Sequence, residues 1–299
     1  MANLKEVRNR ISSVKSTQQI TRAMKMVAAA KLRRAQNRIM DMRPYAKMLN
    51  GILQNVVAAM EGGSDLPSPY SEQRPEERIL IVVVTSDRGL CGAFNANVIR
   101  HINRTLLAET YADQYKAGNV SFMCIGKRGL DAFKSGNTVI SDYSDILTSK
   151  DLNFDVVAPA AEHAMQAFLD KKYDKVVLVY NEFKNVATQI LRTEPFLPVE
   201  PPEIDEENTT TADYIFEPNE VEITQSLIPK SLKIQFYKAV LESNASEHGA
   251  RMTAMDQATE NAGELLKELR LTYNQTRQAY ITKEILEIVG GAQALADSE

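Results

Sequence analysis

The sequence predicts an α/β protein in which a long antiparallel coiled coil, formed by N- and C-terminal helices, carries an inserted α/β (Rossmann-like) domain. Three observations predict it. Apolar residues recur in steps of three and four, on one phase, through the first forty-odd positions. The same texture returns in the last stretch, after Glu222. Between them, short β-branched runs alternate with helical segments, the pattern of a largely parallel sheet covered by helices. With 299 residues and 44% hydrophobic content, the chain can bury a sizeable core.

At the N-terminus Leu4, Val7, Ile11 and Val14 share a heptad phase with Ala28, Leu32, Ala35, Ile39 and Met42, and no Gly or Pro interrupts before Pro44. Between the two segments Gln18, Thr21 and Lys25 turn polar, while Ile20, Met24 and Val27 form a second stripe on another face. That pattern predicts a helix that changes its buried face, and with it its partner, halfway along. The helix is expected to fill residues 1–60, with a kink possible at Pro44. Residues 61–77 hold Gly62, Gly63, Pro67, Pro69 and Pro75 and read as a linker.

Residues 78–220 are the expected α/β domain. Arg78–Thr85 is a continuous β-branched run, as in a strand covered on both faces, followed by a glycine-bearing turn at Asp87–Gly92 and a helix over Asn95–Ala112. Val120–Ile125 reads as a strand, Lys127–Lys134 as a short helix, Val156–Lys171 as a helix, and Lys175–Tyr180 and Val186–Arg192 as strands. Thr193–Asn219, rich in proline and acid, is expected as a surface loop.

Residues 221–299 turn helical again, with Pro229 near the start. Met255, Ala258, Ala262, Leu265 and Leu269 run at helical spacing, and Ile281, Ile285 and Ile288 carry an apolar stripe close to the end. About sixty residues at ~1.5 Å each exceed what one small domain can cover. A chain that must return past its own start pairs most simply in the antiparallel sense.

The charge is unevenly placed. Residues 1–43 carry eleven Lys or Arg against Glu6 and Asp41, although the whole chain has a net charge of -4. A cationic helix on an otherwise acidic chain suits an anionic partner surface. Nucleic acid is a poor fit, since Met1–Arg43 holds no aromatic residue to interleave with the cations. Membrane adsorption needs apolar anchors opposite the cations, and here that face belongs to the seam. The longest apolar run, Ile79–Val84, is far short of the ~20 residues that span a bilayer, so a soluble chain is expected, one that can still sit beside a membrane.

Enzymatic motifs are missing. Gly89–Leu90–Cys91–Gly92 sits where a dinucleotide fold places its phosphate loop, but without the G-x-G-x-x-G spacing, and it reads as a tight turn. His101, His163 and His248 are scattered, and Cys91 and Cys124 have no metal-ligand spacing, so no catalytic residue, metal or cofactor is expected.

Four stretches taken together are recognisable. Ile20–Ala35 (ITRAMKMVAAAKLRRA), Ser86–Asn95 (SDRGLCGAFN), Ser246–Asn261 (SEHGARMTAMDQATEN) and Leu269–Gly291 (LRLTYNQTRQAYITKEILEIVGG) closely resemble the gamma subunits of F-type ATP synthases of bacterial type, in order and over the whole length. The resemblance implies a non-catalytic central-stalk rotor, its coiled coil standing inside a hexamer of three alpha and three beta subunits. Its α/β domain would lie against the epsilon subunit and the c-subunit ring, peripheral to the cytoplasmic face of the cell membrane. It would transmit torque that couples proton translocation to ATP synthesis or hydrolysis.

Residue by residue, the resemblance implies that Met24 and Lys25 face an acidic lever segment of beta, and that Arg251 matches the arginine of an S-E-x-x-A-R-M motif. Here Gly249 precedes Ala250 in that motif. Arg277, Gln278 and Thr282 match the R-Q-x-x-x-T positions of a polar catch with a beta loop, and Ile281, Ile285 and Ile288 belong to a tip held in an apolar sleeve. The small-residue run Val27–Ala30 would slide past its neighbours. Chloroplast members carry an inserted cysteine pair that acts as a redox switch. Neither Cys91 nor Cys124 lies in such a segment, so thiol regulation is not expected. Two rivals stand beside this reading: a coiled-coil tether whose α/β domain binds a protein, and an enzyme with a degenerate dinucleotide fold.

Overall fold

The computed structural model describes residues 4–59, 68–149, 151–199 and 220–296. Two helices dominate: α1 (Leu4–Ala59) and α6 (Glu220–Ala296). The chain divides into two compact units, one made of Met1–Val27 with Met252–Glu299 and the other of Ala28–Arg251.

In the first unit the two helices pair in the antiparallel sense. Gln18 Nε2 donates to the Thr259 carbonyl at 3.3 Å, and Lys25 Nζ lies 2.5 Å from Asp256 Oδ1, so the residue number falls on α6 as it rises on α1. On α6 the inward positions are Met255, Thr259, Ala262, Leu266, Leu269, Tyr273 and Thr276, in alternating steps of four and three, with Met255, Ala262 and Leu266 buried. Ala258 and Leu265, read from the sequence as part of this stripe, are half-buried beside it.

The face that α1 turns toward α6 does not change over these positions. Steps of three and four lead from Val14 through Gln18, Thr21 and Lys25 to Ala28, and all five positions are buried or half-buried. Ile20 and Val27 of the supposed second stripe are each 57% exposed, and Met24 is half-buried. Within the first unit the seam therefore continues through Lys25, made polar over three positions because these side chains find hydrogen-bond partners across it. Helix α1 also continues through Pro44; the carbonyl that its ring leaves unpaired belongs to Met40, whose side chain is exposed.

The second unit is built on a five-stranded sheet of order β3-β2-β1-β4-β5. Strands β1 (Ile79–Val84), β2 (Val120–Ile125), β3 (Thr138–Ile140) and β4 (Lys175–Phe183) are parallel, and β5 (Gln189–Leu197) closes the sheet as an antiparallel edge. The first strand is central and buried at every position, as its continuous aliphatic run predicts. One sheet face (Ile79, Ile81, Val83, Phe122, Cys124, Val177, Val179) packs against α2 (Phe94–His101), a wider π-helical continuation over Ile102–Thr110, and α4 (Lys127–Phe133). The other face is covered by α5 (Phe154–Leu169), with Ala160, Ala161, Ala164 and Phe168 buried, and by α6, where Phe236 meets Phe196 edge-on at 5.6 Å.

Three differences from the sequence reading have physical causes. Helix α2 was expected to run unbroken to Ala112, but it widens at Ile102 and restarts as α3 (Ala112–Lys116) after Tyr111. The short β3 was missed because its three residues sit among Ser, Gly and Asn, and its side chains are exposed or half-buried. Thr193–Leu197, placed in the loop, belongs to β5: Pro195 fits there because an edge strand has an unpaired side that needs no donor. The rest of that loop, residues 200–219, lies outside the described residues.

Candidate functional site

Parallel sheets offer a ligand crevice at the carboxyl ends of the strands where strand order reverses, here between β1 and β4. The segment leaving β1 is tightly tied. Thr85 Oγ1 accepts from the Gly129 N–H at 2.8 Å, and a Cβ at Gly126 (φ +100) would stand 2.3 Å from the Thr85 carbonyl, so only glycine lets the β2–α4 turn approach this closely. The Ser86 N–H donates to Asn95 Oδ1 at 2.9 Å, and Asn95 Nδ2 donates to Ser86 Oγ at 2.7 Å and to Cys91 Sγ at 3.3 Å.

Helix α6 occupies the crevice itself. Gly249 lies where a Cβ would be 3.3 Å from Phe183 Cε2 and 3.7 Å from Val186, beyond the end of β4. Arg251 Nη2 donates to the carbonyls of Arg88 (2.9 Å) and Gly89 (3.4 Å), while its Nη1 donates to Glu247 Oε1 at 2.6 Å and lies 3.3 Å from His248 Nδ1. Burial raises the Glu247 carboxyl above the ordinary range, with Arg251 opposing. Burial, with the Arg251 and Lys31 charges, lowers His248 to about 3 and leaves it neutral at ordinary pH. A phosphate or nicotinamide at this place would have to displace a helix.

The remaining sequence-singled residues fall in separate places. His101 Nε2 is 2.8 Å from Thr193 Oγ1, and His163 Nδ1 is 3.2 Å from Tyr143 OH. Cys91 and Cys124 are free and buried, and burial pushes the Cys124 thiol up to about 12. Among the described residues no group of three or more His, Cys, Asp or Glu is placed to hold a metal, and no helix is long and apolar enough to cross a membrane.

In the first unit Lys25 and Asp256 form an ion pair at 2.5 Å, with side chains 37% and 58% exposed, a geometry that contributes at most about 1 kcal/mol. Arg277, Gln278 and Thr282 are exposed on α6, as are Tyr280, Ile281, Ile285, Leu286, Ile288 and Val289. Seam partners on α6, Asp256 and Thr259, were not singled out from the sequence, although extending the heptad phase through Lys25 would have called for polar residues opposite.

The sequence profile of the family described as ATP synthase matches residues 3–295. The ATP synthase gamma chain of Cytophaga hutchinsonii is 60% identical over 298 residues, covering 99% of each chain. The chain belongs to the ATP synthase gamma-chain family. A second gamma chain, from Flavobacterium johnsoniae, is 53% identical over 296 residues, again 99% of each. Among solved structures, a chain of the central stalk and c-ring of Tetrahymena thermophila mitochondrial ATP synthase matches with a TM-score of 0.55 at 25% identity, over 80% of this chain and 99% of that one. A chain of the Euglena gracilis mitochondrial enzyme shares the fold, with a TM-score of 0.64 at 22% identity over 98% and 94% of the two chains.

This gamma chain is thus a central-stalk subunit of an ATP synthase. Of the residues matched to gamma-family motifs, the structure brings Lys25 against Asp256 and turns Arg251 inward onto the Asp87–Gly92 turn. It leaves Arg277, Gln278, Thr282 and the three isoleucines facing solvent on α6.

Proposed function

We propose that this gamma chain is the rotor itself: it transmits torque between a proton-driven c-ring and a catalytic alpha3-beta3 hexamer, and carries no catalytic site of its own. The observation that carries the reading is the end of α6. Tyr280, Ile281, Ile285, Leu286, Ile288 and Val289 are large apolar residues, all exposed, on a helix with no cover there among the described residues. An apolar patch of this kind marks a surface buried by a partner. A sleeve formed by the hexamer is the partner that fits, with Ile281, Ile285 and Ile288 as the bearing tip.

Met24, Lys25, Arg251, Arg277, Gln278 and Thr282 are proposed as contacts with beta, and epsilon and the c-ring as partners of the α/β unit. The chain would thereby sit peripherally on the cytoplasmic face of the membrane. A shaft with different faces offers each of three equivalent beta subunits a different set of contacts. It shifts each one's conformational equilibrium only by that difference, and rotation changes which beta receives which set.

A tagged pull-down from native membranes tests this. Recovery of alpha, beta and epsilon with ATPase activity, one copy of this chain per three beta, is the expected result. Recovery of the chain alone or with unrelated proteins would return the tether reading.

A further inference from the structure

The turn after β1 carries an unusual burden. Leu90 has φ 62, in the left-handed region that side chains other than glycine rarely adopt, and it is 65% exposed, so burial does not offset the strain. A strained, exposed leucine persists only where its surroundings over-determine the backbone. The carbonyl of Arg88, two residues earlier, is where those constraints meet. Ser86 Oγ donates to it at 2.7 Å, Cys91 Sγ at 3.9 Å and Arg251 Nη2 at 2.9 Å. Of these donors Cys91 belongs to the turn and Ser86 immediately precedes it. Arg251 alone comes from α6, and its fork also spans the Gly89 carbonyl.

We propose that Arg251 is a positioning residue: it clamps the Asp87–Gly92 turn to α6 and so holds Leu90 as a rigid apolar knob at the sheet's carboxyl edge. This deepens the rotor reading, since Arg251 then acts through the turn and not only by touching beta. Several features fit a clamp. The guanidinium is fixed on its other side by Glu247, so its direction is set before it meets the turn. Gly249, two residues back on the helix, lets α6 approach the β4 end closely enough for the arginine to reach. A lysine at this position could supply charge but not the planar fork that bridges two carbonyls and a carboxylate.

Cys91 supplies the readout. It is 2% exposed, sits inside the turn, and shares the Arg88 carbonyl with Arg251. Cys124, buried in β2, serves as an internal control. The experiment labels the purified full-length chain with a chromophoric thiol reagent and compares wild type with Arg251→Gln and Arg251→Lys, following helicity by circular dichroism. Because no other subunit is present, the result stands apart from whether the torque reading holds.

The expected outcome is Cys91 labelling about tenfold faster or more in Arg251→Gln, an intermediate rate in Arg251→Lys, and no change at Cys124. Folded variants with Cys91 as slow as in wild type would overturn the clamp. So would Cys91 and Cys124 accelerating together, which would make Arg251 a support of the whole unit and not of the turn.

Discussion

The hydroxyls of Thr21 and Thr259 stand 2.8 Å apart across the antiparallel seam, one from each terminal helix. Thr21 Oγ1 also reaches the Gln18 carbonyl at 3.1 Å, and Thr259 Oγ1 the Met255 carbonyl at 2.7 Å. Gln18 and Lys25 bind Thr259 and Asp256 on either side, so the polar interlude is a layered set of cross-helix contacts. Apolar layers tolerate axial slippage because leucines and alanines fit several neighbours, whereas paired polar groups fit one register.

A double-mutant cycle follows from this pair. Thr21→Val alone leaves Thr259 without its cross-helix partner and should cost about 1 kcal/mol. Thr259→Val alone should cost a similar amount. The double replacement removes both hydroxyls and should come out close to wild type, a coupling energy visible in urea unfolding of the full chain. Simple additivity of the two losses would show that the hydroxyls do not depend on one another.

This seam also shows how far the sequence could be read. The apolar heptad segments at Leu4–Val14 and Ala28–Met42 gave the coiled coil, because burial is legible in a periodic apolar pattern. The three positions between them were visible as polar, but not as a continuation of the same seam. Their hydrogen-bond partners are 231 to 241 residues away, and no local pattern encodes them. The strands of the sheet centre were legible from their continuous β-branched runs, while β3 and the end of β5 lie at edges, where half-exposed residues carry little signal. Arg251 was singled out by motif, but its inward direction depends on Gly249 meeting Phe183, a tertiary contact.

Lys171 gives a prediction about stability alone. It follows the C-cap Asp170 of α5 with φ 57, and the bonds Lys172 N–H to Ala167 carbonyl (2.9 Å) and Lys171 N–H to Phe168 carbonyl (3.0 Å) make a Schellman end. Glycine adopts this conformation without strain. Lys171→Gly should raise stability by about 0.5–1 kcal/mol, read as a higher melting midpoint, and its exposed, 3.8 Å pairing with Glu72 is too weak to reverse the sign.

Glu242 predicts a pH effect. It is buried on α6, and its Oε2 has no hydrogen-bond partner among the described residues. Burial raises its carboxyl above the ordinary 4.5; Glu182 and Glu194 on the neighbouring strands push the same way, and Lys238 and Arg43 push against. A raised folded value means that the folded state holds the proton more tightly. The stability this contributes is full below about pH 4.5 and is lost as pH rises through the folded value. Glu242→Gln should therefore be more stable than wild type at neutral pH, with the advantage shrinking toward zero near pH 4.5. An advantage of equal size at both ends would place its origin in packing.

His248 works in the opposite sense. Burial, Arg251 and Lys31 hold it at about 3, against 6.5 for an ordinary imidazole. In the unfolded chain it takes up a proton below 6.5 that the folded chain refuses, so stability present above that value is lost as pH falls toward about 3. The loss amounts to about 1.4 kcal/mol per pH unit for one proton. Glu247 beside it has a raised carboxyl and gains stability as pH falls, so the wild-type profile is the sum of opposed slopes. Glutamine in place of His248 keeps an acceptor for Arg251 and removes the titration. Urea midpoints of wild type and His248→Gln, measured at steps from pH 7.5 to 4.5, should diverge in favour of the variant as pH falls. Parallel curves would mean that His248 is protonated in the folded chain, through an opening of the cluster around Arg251.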